Sequence, residues 1–175
     1  QGFSQAGKRS FVDARNQLYH EYARLLIGLQ PKVFVMENVS GMVKGKMKII
    51  FADCLRELKS CGYKVKVKLL NAVYFNVPQS RQRLIFIGVR NDLGIEPSFP
   101  IAENKIITAS DAIYLVEDQG IPLTPEANKY WPLLKYGESA SKYHPKRHFF
   151  GMIKVDPCKP SPTLTRSAKG SSVVH

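Results

Sequence analysis

Two unbroken apolar runs, Val33-Phe34-Val35-Met36 and Leu84-Ile85-Phe86-Ile87, constrain most strongly what this chain can fold into. Each is too short for a helix and far below the roughly 20 residues that cross a bilayer, so each reads as a strand buried on both faces, the kind found in parallel sheets. Ahead of the first run, Leu18, Tyr19, Tyr22, Leu25, Leu26 and Leu29 recur at helical spacing from Asp13, read as an N-cap, until Gln30-Pro31 stops the pattern. A second helix is predicted over about residues 46–60, burying Met47, Ile50, Phe51, Cys54, Leu55 and Leu58, with Gly62 as its C-terminal stop. From Tyr63 to Leu69, Lys64, Lys66 and Lys68 alternate with Val65, Val67 and Leu69, the period of a strand with one wet face. The order helix, strand, helix, strand, strand predicts an α/β layered domain with its sheet covered on both faces.

The pattern dissolves near residue 94. Residues 1–94 hold 16 basic and 6 acidic side chains, residues 95–125 hold one and five, and residues 126–175 hold nine and three. Nine of the eleven prolines lie at or beyond Pro97. The expected boundary therefore lies near residue 94, between an α/β part and a lobe of short strands and loops with one short helix near Asp111. A net charge of +12 favours a polyanionic partner, most simply nucleic acid, and on charge alone leaves ribosomal and membrane-surface proteins in play. At 44% hydrophobic and 23% charged, the chain is neither disordered nor fibrous. Cys54, Cys61 and Cys158 are odd in number and lack metal spacing, as do His20, His144, His148 and His175. They argue against a disulfide framework or a metal, and for a reducing cytoplasm. The first residues lack a signal peptide's apolar core.

Ligands of doubly wound sheets bind beyond the carboxyl ends of the strands, and the run at Val33 ends in Glu37-Asn38-Val39. Glu37 admits two readings on position alone, a functional carboxylate or a cap of the following loop. In Gln79-Ser80-Arg81-Gln82-Arg83, residues two apart share one face of an extended chain. Gln79, Arg81 and Arg83 would there present an amide and two guanidiniums to phosphate or carbonyl oxygens, or simply form a solvated strand entrance. Lysines 64, 66 and 68 read as a soluble surface. Lys142, Tyr143, His144, Lys146, Arg147, His148, Phe149 and Phe150 mix cations with aromatics, as nucleic-acid surfaces and ordinary loops both do.

Taken in order, Gln1-Gly2-Phe3-Ser4, Glu37-Asn38-Val39, Pro78-Gln79-Ser80-Arg81-Gln82-Arg83 and Pro160-Ser161-Pro162-Thr163-Leu164-Thr165 resemble consecutive motifs of the DNA cytosine-5 methyltransferase family. Gly7-Lys8-Arg9 through Phe11-Val12-Asp13-Ala14-Arg15 resembles its mobile catalytic loop and the helix after it. The resemblance implies part of a Rossmann-like, S-adenosylmethionine-dependent methyltransferase sheet with a small irregular target-recognition lobe. It implies Glu37 as proton donor to N3 of a flipped cytosine, Arg81 or Arg83 at the base carbonyl, and Asn38 and Gln79 bracing the site. The loop from Ser4 to Val12 would close over the base, with Gly2 and Gly7 giving it backbone freedom and Lys8, Arg9 and Arg15 meeting phosphates; Lys146 and Arg147 would bind substrate from a recognition lobe at 95–160, with 161–175 returning into the catalytic domain of 1–94.

The family's Pro-Cys nucleophile would fall just before Gln1, and its glycine-rich cofactor turn and closing Asn-Ser-Val motif lie outside these 175 residues. Pro157-Cys158 is followed by Lys159-Pro160 and does not match the nucleophile motif. The expectation is thus the middle of an enzyme, inactive alone, acting on double-stranded DNA in a bacterial cytoplasm beside a cognate restriction endonuclease. S-adenosylmethionine is its expected cofactor, with no metal. A tRNA cytosine-5 methyltransferase and a non-catalytic nucleic-acid-binding module are the alternatives.

Overall fold

The computed structural model describes residues 18–113, 125–145 and 152–164. The expected N-cap at Asp13 lies outside them. Helix α1 spans Leu18–Leu29 and buries Ala23 and Leu26, with Tyr19 and Tyr22 packed beside them. Leu18, Leu25 and Leu29 are exposed, so the expected apolar stripe is narrower than the spacing suggests. Gln30 ends α1 in the left-handed region at φ 45°, its N–H donating to the Leu26 carbonyl at 3.0 Å, and Pro31 prevents continuation.

Strand β1 spans Val33–Val39 and α2 spans Met47–Ser60. Cys54 and Leu58 are wholly buried in α2, and the helix stops as expected at Gly62, whose φ of 92° suits a residue without Cβ. Strands β2, Tyr63–Asn71, and β4, Gln82–Arg90, complete a three-stranded sheet in the order β1-β4-β2. Between them in sequence lies the two-residue strand β3, Gln79–Ser80.

Helices α1 and α2 share one core with Phe34, Tyr63, Val65, Leu84 and Phe86, all from one face of the sheet. Edge-to-face rings stitch it together, Tyr22 to Phe34 at 5.7 Å and Phe34 to Tyr63 at 5.2 Å between centroids. Phe34 pairs in register with Gly88, and its ring lies so close that a Cβ added there would stand 2.0 Å from Cε1. The glycine therefore makes room for the ring.

Two expectations need correction. β1 runs antiparallel to β4, in register from Val33↔Val89 to Val39↔Arg83. Nor is it buried on both faces, because Val33 and Val35 are 52% and 62% exposed. An apolar run shows that a strand tolerates burial on both faces without specifying what covers the second. Among the described residues, both core helices pack on the same side. Leu69, expected on the dry face of β2, is likewise exposed.

The chain divides into two compact units, one within Gln1–Leu70 and Gln82–Ile101, the other within Asn71–Arg81 and Ala102–His175. In the second, β3 pairs in parallel with β5, Ser161–Pro162, and Thr163 Oγ1 donates to the Ser80 carbonyl at 3.0 Å. The expected short helix is α3, Ala109–Ile113. A reciprocal cap starts it: Thr108 N–H donates to Asp111 Oδ2 at 2.9 Å, and Asp111 N–H to Thr108 Oγ1 at 3.2 Å. The carbonyls of Lys159 and Pro157 accept from the N–H groups of Ala109 and Ser110. A second helix, α4, Pro125–Tyr130, was not expected. A small core of Tyr130, Leu134, Ala140 and Met152 follows, closed by an antiparallel bridge between Ser139 and Ile153.

Candidate active site

The carboxyl end of β1 and the start of β4 bring two of the candidate site residues together. The antiparallel register sets Glu37 opposite Ile85 and Val39 opposite Arg83, which makes Glu37 and Arg83 diagonal neighbours on one face. Arg83 Nε stands 2.5 Å from Glu37 Oε1. The contact is a charge pair rather than an aligned hydrogen bond, since the buried Nε has no acceptor in line with its N–H. Nη1 donates to the Gln82 carbonyl at 2.8 Å, which holds the guanidinium along its own strand. The Arg83 side chain is 23% exposed and that of Glu37 52%, so the carboxylate is the member that reaches outward.

Asn38 belongs to the other face of β1, opposite Leu84. Its Oδ1 accepts from the Val39 N–H at 2.8 Å, shaping the passage from strand into the 3-10 turn Ser40–Val43. Its observed contact is thus with its own backbone. The expectation that Gln79, Arg81 and Arg83 lie along one extended strand is not met. The ladder is interrupted at Arg81: Gln79 is in β3, which pairs with Ser161, while Arg83 is in β4. Gln79 and Arg81 fall in the second unit and Arg83 in the first. Arg81 uses its carbonyl to accept from the Ala72 N–H at 3.0 Å. Gly2, Ser4, Lys8, Arg9, Arg15, Lys146 and Arg147 lie outside the described residues.

Sequence reasoning gave Glu37 and Arg83 separate tasks and missed that they hold each other. The signal was within reach only through strand register, which periodicity does not supply. It also missed that two motifs some 80 residues apart, around Gln79 and Ser161, form one parallel ladder.

Neither cysteine of the first unit is available for covalent chemistry. Cys54 is fully buried and burial pushes its thiol up to about 12, while Cys61, also buried and raised by burial, sits 3.2 Å from the Glu57 carbonyl. Among the described residues no three His, Cys, Asp or Glu side chains gather as a metal set, and no helix is long and apolar enough to cross a membrane.

Residues 1–151 match the model of the family described as C-5 cytosine-specific DNA methylase. The Type II methyltransferase M.NgoPII of Neisseria gonorrhoeae is 38% identical over 131 residues, covering 72% of this chain and 38% of that protein. M1.HphI of Haemophilus parahaemolyticus, also a Type II methyltransferase, is 45% identical over 117 residues, 65% of this chain and 31% of its own length. The chain spans about a third to two fifths of the length of the curated relatives it matches. In fold it is similar to a protein assigned as a DNA modification methyltransferase encoded within an E. coli prophage, with a TM-score of 0.66 at 20% identity over 87% of this chain and 58% of that one.

Proposed function

The chain belongs to the C-5 cytosine-specific DNA methylase family, and from that premise we propose that it carries the base-handling side of a site that methylates carbon 5 of a cytosine in double-stranded DNA. The observation that carries this reading is the Glu37–Arg83 pair at the carboxyl end of β1. Carbon 5 of cytosine is too electron-poor to be methylated directly, so a thiolate must first add at carbon 6, the task that the family resemblance gives to the cysteine of a Pro-Cys motif. The C6–S bond forms as electrons move into the ring, and N3 takes a proton. As the base arrives, Arg83 exchanges the carboxylate for the base carbonyl, and Glu37, released from the pair, takes up a proton from solvent and passes it to N3. The two groups are thus paired with each other until a base arrives. A stacked base cannot be reached from both faces, so the cytosine is flipped out of the duplex.

S-adenosylmethionine is the methyl donor expected of the family, supplying an electrophilic methyl group. The pair is assigned to the base, whose edge offers a ring nitrogen to the carboxyl group and a carbonyl oxygen to the guanidinium. Residues 1–94 and 161–175 are assigned to catalysis and 95–160 to recognition of a short site. The Type II names of the relatives support a bacterial, cytoplasmic setting beside a restriction endonuclease.

The test is Glu37→Gln in the enzyme that contains this chain. Methyl transfer should fall by about 100- to 10,000-fold, the usual range for a lost general acid, with duplex affinity kept. Transfer at the parent rate would make Glu37 a loop carboxylate only. The 175-residue chain alone, given labelled S-adenosylmethionine and duplex DNA, should show background counts. Incorporation that persists in Cys158→Ser would overturn the assignment of the nucleophile.

A further inference from the structure

In the second unit, Lys154 stands over two aromatic rings, its Nζ 5.0 Å from the Trp131 centroid and 5.6 Å from that of Tyr136. The backbone fixes this placement. Gly137 N–H donates to the Lys154 carbonyl at 2.6 Å and Lys154 N–H to the Glu138 carbonyl at 3.0 Å, on either side of the register set by the Ser139–Ile153 bridge. The carboxylates on its flanks are already engaged: Glu138 holds Lys142, and Asp156 holds Lys159 at 3.0 Å. Among the described residues no carboxylate lies within ion-pair distance of Lys154.

A ring face orients an ammonium without cancelling its charge, whereas a carboxylate does both. Lys154 is therefore held in place and still positive. Tyr136 beside it is 57% exposed, a flat apolar surface at the edge of the cation. The segment around it, residues 126–175, carries nine basic against three acidic side chains. We infer that Lys154, seated on Trp131 and Tyr136, is a docking point for the phosphodiester backbone of duplex DNA, with Tyr136 packing against the adjoining sugar. The inference rests on the DNA methyltransferase reading above and assigns a positioning contact that leaves base readout to other residues. It agrees with the general division in which phosphate contacts fix register and base edges supply sequence.

The experiment is binding of fluorescein-labelled, cytosine-containing duplex DNA to the full chain across a range of potassium chloride concentrations. Lys154→Gln should reduce the slope of log affinity against log salt by about one unit and weaken every duplex sequence alike. Lys154→Arg, which keeps a stackable cation, should retain the parent slope. Arg56→Gln removes an equal charge from an arginine paired with its own carboxylate, Asp53 at 2.9 Å, and should leave the slope unchanged. Trp131, the sole tryptophan, reports whether each variant keeps the packing of the unit. If the parent binds duplex DNA and Lys154→Gln shows the parent slope, or if Arg56→Gln loses as much, this docking point is wrong while the DNA reading stands. Absence of any salt-dependent duplex binding by the parent would overturn both.

Discussion

In the first unit Arg24, Arg56, Arg83 and Arg90 each lie against a carboxylate of their own, and Lys64 and Lys66 share Glu96, at distances from 2.5 to 3.3 Å. In the second, Glu138 and Asp156 hold Lys142 and Lys159 in the same way, while Lys129 and Lys154 lie over rings, at 5.6 and 5.0 Å from the nearer centroid. Exposed pairs of the first kind add little to stability, typically about 0–1 kcal/mol, and what they chiefly do is cancel charge locally. The ring-held cations keep theirs. A net positive charge therefore says little about where a polyanion docks until each cation's neighbour is known. Arg83 adds a third case, a cation whose partner is itself the group proposed to act on substrate.

The largest effect should come from breaking that third case. Arg83→Ala in the complete enzyme is expected to lower turnover at saturating DNA by about 100- to 1,000-fold, the range for losing one preorganised electrostatic partner. Arg56→Ala, which breaks a 2.9 Å pair with Asp53 on α2, should leave turnover unchanged. Single-turnover methylation separates the two, and equal behaviour would reduce the Glu37–Arg83 pair to another surface salt bridge.

Two glycines extend the comparison to packing. Gly88→Ala drives a Cβ into the Phe34 ring and should destabilise the first unit by about 1–3 kcal/mol, the usual range for overpacking. Gly137 has open space around its Cα but sits at φ 82°. Its replacement by alanine should cost only about 1–2 kcal/mol of backbone strain. Urea midpoints, read by circular dichroism for the first and Trp131 fluorescence for the second, give both values. Shortening the ring in Phe34→Leu should rescue Gly88→Ala and do nothing for Gly137→Ala.

The smallest effect is on acid stability. The Lys142 ammonium, the Lys135 N–H and the Tyr143 hydroxyl hold the Glu138 carboxyl down from 4.5 to about 2. A carboxyl depressed in the folded state contributes its stability in full above 4.5 and loses it as pH falls toward 2. Trp131 fluorescence should therefore change over that acid window in the parent, and Glu138→Gln should flatten the change. An identical profile in the variant would mean that the three donors do not couple to the packing of this unit.

Much of the first unit was legible because its signals are local. Helical spacing and the stops at Gln30 and Gly62 bound α1 and α2, and the alternating lysines mark β2. What failed depends on contacts distant in sequence. Direction of pairing is absent from an apolar run, so β1 was read as parallel and doubly buried. The Glu37–Arg83 contact depends on inter-strand register, and the seat of Lys154 on a bridge between residues 139 and 153. The basic and aromatic stretch beginning at Lys142 was noticed by composition, yet the rings that seat Lys154 precede it.

The ladder between β3 and β5 has a consequence for how the chain is made. At a synthesis rate of about 5–20 residues per second, both members of the β1–β4 pair exist as soon as Arg90 is added, but β3 must wait roughly 4–16 seconds for the about 80 residues that bring Ser161. The loop so closed is long, and because closure entropy rises only logarithmically, doubling its length would add just about 0.6 kcal/mol. The delay is thus a matter of timing more than of stability. A nascent chain halted between Arg90 and Ser161 would hold a complete β1–β4 pair beside a β3 still without its partner.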